Sequence, residues 1–186
     1  DTDRSEQQVS EFNNSRRSWL INDYIGHYAA LGDEKYQAIA DMQKATGWSA
    51  STCITWMGVG VSGSGLRRIK QGKSAGLCSN EDRLALVPYG LAICDSLKNH
   101  KVKIASRAER FHAALAQFLE TPGVDGAVCV TQFERYGYLM SPRPTRRDYA
   151  DMICNVWNYR RRSGVRFRVD EYGGTIRYLQ IGESDV

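Results

Sequence analysis

The segment that most limits how this chain can fold is Arg143 to Ile181, because its apolar period changes from 3.6 to 2 within a few residues. Thr145 stands where a hydroxyl can accept from a free amide of a first helical turn. Tyr149, Met152, Ile153, Val156 and Trp157 then recur at i, i+3 and i+4, which gathers them into one apolar stripe. Arg160, Arg161 and Arg162 are expected in the last turn, where cations suit the negative end of the helix dipole, with Gly164 stopping the helix. Beyond it, Val165, Phe167 and Val169 alternate with Arg166 and Arg168, the signature of a half-buried strand. Gly173-Gly174 supplies a turn, and Ile176 to Ile181 forms a return strand carrying Arg177. The expected order is helix, tight corner, two-stranded hairpin.

This segment holds nine arginines, no lysine and four acids, Asp148, Asp151, Asp170 and Glu171. Guanidinium bonds phosphate and guanine edges in a bidentate fashion and stacks on bases, which an ammonium does not. Helix plus arginine-studded hairpin therefore reads as a winged-helix-like end that binds nucleic acid. The plainer reading of the same residues is a solvated helix end and the wet face of a strand.

The chain has 186 residues, enough for one good core or two small modules. Its formal net charge of +4 is unevenly spread, with the arginine-rich end strongly positive and the first third acidic, as expected of a localised anion-binding face. No apolar run approaches a membrane span, and the first residues, DTDRSEQQVSEFNNS, are polar without an apolar signal region. Cys53, Cys78, Cys94, Cys129 and Cys154 form no C-x-x-C pair, so they are expected to be reduced and mostly buried in a cytoplasmic protein. His27, His100 and His112 are equally scattered, and no metal site or cofactor is expected.

In chain order, residues 1–15 are expected to form a flexible arm, 16–122 a helical domain with a glycine-rich basic middle, and 123–186 the winged-helix-like module. The fold class is mainly α with a small β-hairpin. Ile21, Tyr24, Ile25, Tyr28 and Leu31 recur at helical spacing before Gly32, and a second helix from the cap Asp33 carries Tyr36, Ile39, Ala40 and Met42 to Ala45. That stripe is simplest as core packing. Leu84, Val87, Leu91, Cys94 and Leu97 share a face, with Pro88 at a first turn or kink, and a basic connector Leu97 to Lys103 follows. Ile104, Ala108, Phe111, Leu115, Phe118 and Leu119 form the clearest helix, ending before Thr121-Pro122-Gly123, and His112 beside its apolar face reads as a packing residue. A short apolar run at Ala127 to Val130 and a short helix through Phe133 and Tyr136 lead to the Pro142/Pro144 hinge.

The middle, residues 46–76, supports three readings. GVSGSGLRRIKQGK at Gly60 to Lys73 resembles the turn and recognition helix of phage-repressor-type helix-turn-helix domains. The resemblance implies a turn at Gly60, inward Val61 and Leu66, a cap at Ser62, and Ser64, Arg67, Arg68 and Lys70 facing the groove. Trp56 departs from it, standing where that family has a small residue. GWSASTCITW at Gly47 to Trp56 offers a competing register, with Gln43 at the small-residue position; the two overlap, so at most one is used. Thirdly, Gly58, Gly60 and Gly63 spell G-x-G-x-x-G with Glu81 and Asp82 about twenty residues on, the pattern of a dinucleotide loop, but no strand precedes it and no βαβ unit follows.

No nucleophile signature accompanies the serines and histidines, and Asp148/Asp151 and Asp170-Glu171 are the only carboxylate pairs open to a metal-dependent nuclease, so the chain does not read as an enzyme. The expected partner is nucleic acid, double-stranded DNA ahead of RNA, bound by a homo-oligomer acting as a transcriptional regulator of phage, plasmid or bacterial type. Contacts are assigned to Arg143, Arg146, Arg147, Arg160, Arg161, Arg162, Arg166, Arg168 and Arg177, with Arg67, Arg68, Lys70 and Lys73 as a second surface. A nucleoprotein coating RNA or DNA is the alternative, with Trp19, Trp48 and Trp56 as available aromatics; a nucleotide-binding enzyme using the glycine loop is a further one.

Overall fold

A computed structural model describes residues 19–57, 69–72, 81–104, 108–142 and 145–182. Among these the chain is mainly helical, with one two-stranded antiparallel hairpin. It divides into two compact units, residues 19–54 with 69–72, and residues 55–57 with 81–182. The division expected at 122/123 therefore runs through the second unit.

In the first unit, α1 (Ile21–Ala30) ends at Gly32, whose φ of 91° lets the chain reverse. Asp33 then caps α2 (Glu34–Thr46), its carboxylate accepting from the amides of Lys35 at 3.0 Å and Tyr36 at 3.2 Å. Gly47, with φ 72°, closes α2 in the left-handed conformation. Ser49 Oγ accepts from the Thr52 amide at 3.2 Å and opens α3 (Ala50–Trp56). Gly47 and Ser49 thus make the corner between α2 and α3. Ala50, Thr52, Cys53 and Ile54 of α3 are buried, as are Thr55 and Trp56, with which the helix passes into the second unit. The tyrosines of the helical stripe do more than pack. Tyr36 donates its hydroxyl to the Ile69 carbonyl at 3.0 Å and Tyr28 donates to that of Lys70 at 3.3 Å, anchoring the turn that carries Lys70.

In the second unit, α4 (Glu81–Leu84) and α5 (Val87–Asn99, with Pro88 in its first turn) precede α6 (Ala108–Glu120) and α7 (Gly126–Tyr136). A 3-10 turn, Gly137–Leu139, follows, then α8 (Arg146–Asn158), β1 (Arg166–Tyr172) and β2 (Thr175–Ile181). The apolar run at Ala127 to Val130 is not a separate element: Asp125 caps α7 through the Val128 amide, and the run forms that helix's first turns. Ile104 lies outside α6.

The core forms where α6, α8 and the hairpin meet. Phe118 is its hub, with edge-to-face contacts to Trp157 and Phe167 at 5.5 Å and to Tyr178 at 4.9 Å. Tyr178 inserts its hydroxyl to donate to the Ala114 carbonyl at 2.8 Å, which ties β2 to α6. The stripe Tyr149, Met152, Ile153, Val156 and Trp157 is buried as its spacing requires. His112 is a packing residue: Trp56 donates Nε1–H to its Nδ1 at 2.9 Å, and burial lowers its pKa to about 4. Cys53, Cys94, Cys129 and Cys154 are buried free thiols; burial raises Cys94 and Cys154 to about 12.

Candidate nucleic-acid interface

The site is built on α8 and the hairpin. Thr145 caps α8, accepting from the Asp148 amide at 3.1 Å and donating its hydroxyl to the Asp148 carboxylate at 2.7 Å. The helix stops at Asn158, two residues before the arginine run, so Arg160, Arg161 and Arg162 are not in its last turn. Two buried or half-buried amides impose this stop. Gln132 on α7 directs Nε2 at the carbonyls of Val156 (3.2 Å), Trp157 (3.0 Å) and Tyr159 (3.1 Å), satisfying groups that a helix end leaves free. Asn158 pairs with Phe167 in both directions, donating to its carbonyl at 2.6 Å and accepting from its amide at 3.0 Å. The chain must therefore turn immediately. It does so with Tyr159 extended and Arg160 at φ 52°, a left-handed conformation rare outside glycine. Gly164, with φ 93°, serves the loop rather than the helix end.

Within this loop the arginines separate into two kinds. Arg161 lies over the Trp157 ring at 4.1 Å, its Nε is buried without a hydrogen-bond partner, and burial lowers its pKa. Arg166 donates to the Arg161 carbonyl at 2.7 Å, which closes the loop on itself. These two are internal braces. Arg160 and Arg162 are exposed, and neither has an acidic partner among the described residues. Arg160 rests on the Tyr159 ring at 5.3 Å.

The hairpin register decides the rest. Arg166, Arg168 and Asp170 stand opposite Ile181, Leu179 and Arg177, and Tyr172 stands opposite Thr175; these pairs share the outward face, because Phe167 and Val169 between them are buried. Gly173 and Gly174 have φ of 58° and 80°, the double left-handed turn that matches strand twist. At the tip, Tyr172 is 81% exposed. Arg177 meets the Asp170 carboxylate at 3.0 Å, and Arg168 approaches the same group at 3.9 Å. Glu171, on the inward face, pairs instead with Arg147 of α8 at 3.0 Å, while Asp151 takes the other side of that guanidinium at 3.3 Å. Hydrogen bonding to Glu171 raises the Arg147 pKa.

Arg147 is therefore a clamp between helix and hairpin rather than an open cation. Arg146 donates to Gln117 Oε1 at 2.7 Å but stays exposed. Of the assigned contacts, Arg160 and Arg162 are exposed on the loop, Arg168 and Arg177 are exposed on the hairpin beside Asp170, and Arg147, Arg161 and Arg166 are committed to internal partners. Lys70 is exposed in the first unit. Arg67, Arg68, Lys73 and Arg143, with residues 60–68 of the Gly60 register and the Gly58–Gly63 motif, lie outside the described residues. The carboxylates weighed for metal chemistry are bound to a cap or to arginine, and no three metal-ligating side chains gather among the described residues. Likewise, no described helix is long and apolar enough to cross a membrane. Three residues that shape the site, Gln132, Asn158 and Trp157, carry no local signal of that role; only the packing of α7 and the hairpin on α8 reveals it.

Comparison with protein families, with characterised proteins and with solved structures found no match to this chain.

Proposed function

We propose that this protein binds nucleic acid through the loop after α8 and the outward face of the hairpin, with duplex DNA as the favoured ligand and a regulatory role of phage, plasmid or bacterial type. One observation carries the reading: Arg160 and Arg162 are exposed on a loop that Arg161, laid over Trp157, and Arg166 of β1, bonded to the Arg161 carbonyl, hold in place. A merely solubilising loop needs no such bracing, since exposed cations keep a surface wet in any conformation. A loop backbone already held in place, by contrast, loses less entropy when its arginines meet a phosphate. Arg168 and Arg177 extend the cationic face toward Tyr172, where an exposed ring can stack or wedge against bases.

The test is a binding titration against random duplex DNA, single-stranded DNA and RNA at two salt concentrations. Wild type is compared with a variant carrying alanine at 160, 162, 168 and 177, which leaves the braces intact. Removing one phosphate-neutralising arginine lowers the slope of log K against log salt by about 0.9 on duplex DNA. A variant binding with the wild-type slope overturns the reading. Preference for duplex and a stable small oligomer supports the regulator; an ordered oligomer ladder appearing only with nucleic acid transfers the reading to a coat protein.

A further inference from the structure

Asp170 is the one acid on the outward face of the hairpin, and it stands between two of the cations just assigned to nucleic acid. Its carboxylate meets Arg177 directly across the ladder at 3.0 Å and reaches Arg168, two residues back on its own strand, at 3.9 Å. The arrangement has little to do with stability. The guanidinium side chains are 57% and 59% exposed, and solvent-exposed pairs of this kind contribute between nothing and about 1 kcal/mol. The neighbouring acid, Glu171, does fasten the hairpin to α8, but it does so on the other face through Arg147. An acid on a phosphate-facing surface repels the ligand, so its place there calls for a role in recognition.

We propose that Asp170 tempers the affinity of the hairpin for phosphate, holding Arg168 and Arg177 on its carboxylate until a docked duplex draws them off. The inference rests on the nucleic-acid reading above. With Arg177 at 3.0 Å from Asp170, a phosphate added on its far side would stand about 6 Å from the carboxylate, and like charges at that distance in a water-like dielectric change binding about threefold. That distance lies inside the Debye length of about 10 Å at 0.1 M salt, so moderate salt weakens the effect without abolishing it and low salt shows it best.

The experiment titrates a random duplex at low and moderate salt with wild type, Asp170→Asn, the double variant Arg168→Ala/Arg177→Ala, and the triple combination. Asn keeps the shape and an acceptor while removing the charge. Expected is binding about threefold tighter or more for Asp170→Asn at low salt, with a steeper salt slope. That gain should vanish in the triple variant, which should match the double one. Asp170→Ser repeats the test with less bulk, and near-ultraviolet circular dichroism checks that the hairpin aromatics keep their packing. Unchanged or weaker binding by both single variants, with packing intact, overturns the inference while leaving the nucleic-acid reading standing. A gain that survives in the triple variant also overturns it, since the charge would then act through other residues. If wild type binds no nucleic acid at low salt, the underlying reading falls and this one with it.

Discussion

Replacing Gln132 tests both the architecture of the site and the way it is held. Its amide nitrogen lies within 3.2 Å of three carbonyls, those of Val156, Trp157 and Tyr159, and the residue is only 9% exposed. A primary amide has two hydrogens, so no more than two of these carbonyls are fully bonded at once. Each buried bond contributes on the order of 1 kcal/mol net, and a carbonyl left unpaired costs more than the bond was worth. Gln132→Met, similar in shape but without a donor, should therefore destabilise the protein by about 2–3 kcal/mol. Urea denaturation reads this as a lower midpoint with an unchanged m value. Gln132→Glu should be worse at neutral pH, where a carboxylate would face the same carbonyls, and should recover in part as acid protonates it into a donor. Because Tyr159 begins the loop that bears Arg160 and Arg162, Gln132→Met should also weaken the proposed nucleic-acid binding well below its unfolding temperature. A Gln132→Met protein within about 0.5 kcal/mol of wild type, the range of ordinary surface substitutions, would refute the claim that these bonds fix the helix end.

His112 should make stability pH-dependent. Burial lowers its pKa from 6.5 to about 4, so the unfolded chain takes up a proton first and stability falls as pH drops from about 6.5 to 4. The loss approaches about 3 kcal/mol by the linkage relation, and His112→Gln should flatten that part of a denaturation series against pH. Two helical glycines should respond to alanine with opposite signs. Gly26 has nothing within 4 Å of an added Cβ, so Gly26→Ala should stabilise α1 by about 0.5–1 kcal/mol in thermal unfolding. At Gly90 the same Cβ would stand 2.6 Å from the buried Trp56 ring, so Gly90→Ala should instead cost about 1–3 kcal/mol.

What the sequence determined by itself was local. The cap at Thr145, the stripe from Tyr149 to Trp157, the alternation from Val165 to Val169 and the Gly173-Gly174 turn all depend on neighbours within a turn or a strand, and each appears as its spacing requires. So do the Asp33 cap and the Gly32 stop. The tertiary structure decided which distant partner each of several arginines has. A guanidinium's task depends on which acid, ring or carbonyl the fold brings to it, and beside near neighbours such as Asp151 for Arg147, some of those partners come from other elements or across the ladder. Arg147 meets Glu171 from the hairpin, and Arg177 meets Asp170 across it. Dipole complementarity alone would put Arg160 to Arg162 in the last turn of α8. Gln132, reaching over from α7, and Asn158, through Phe167, stop that helix at Asn158 instead. Period and propensity act over a few residues, whereas charge pairing and carbonyl satisfaction act wherever the chain happens to meet itself.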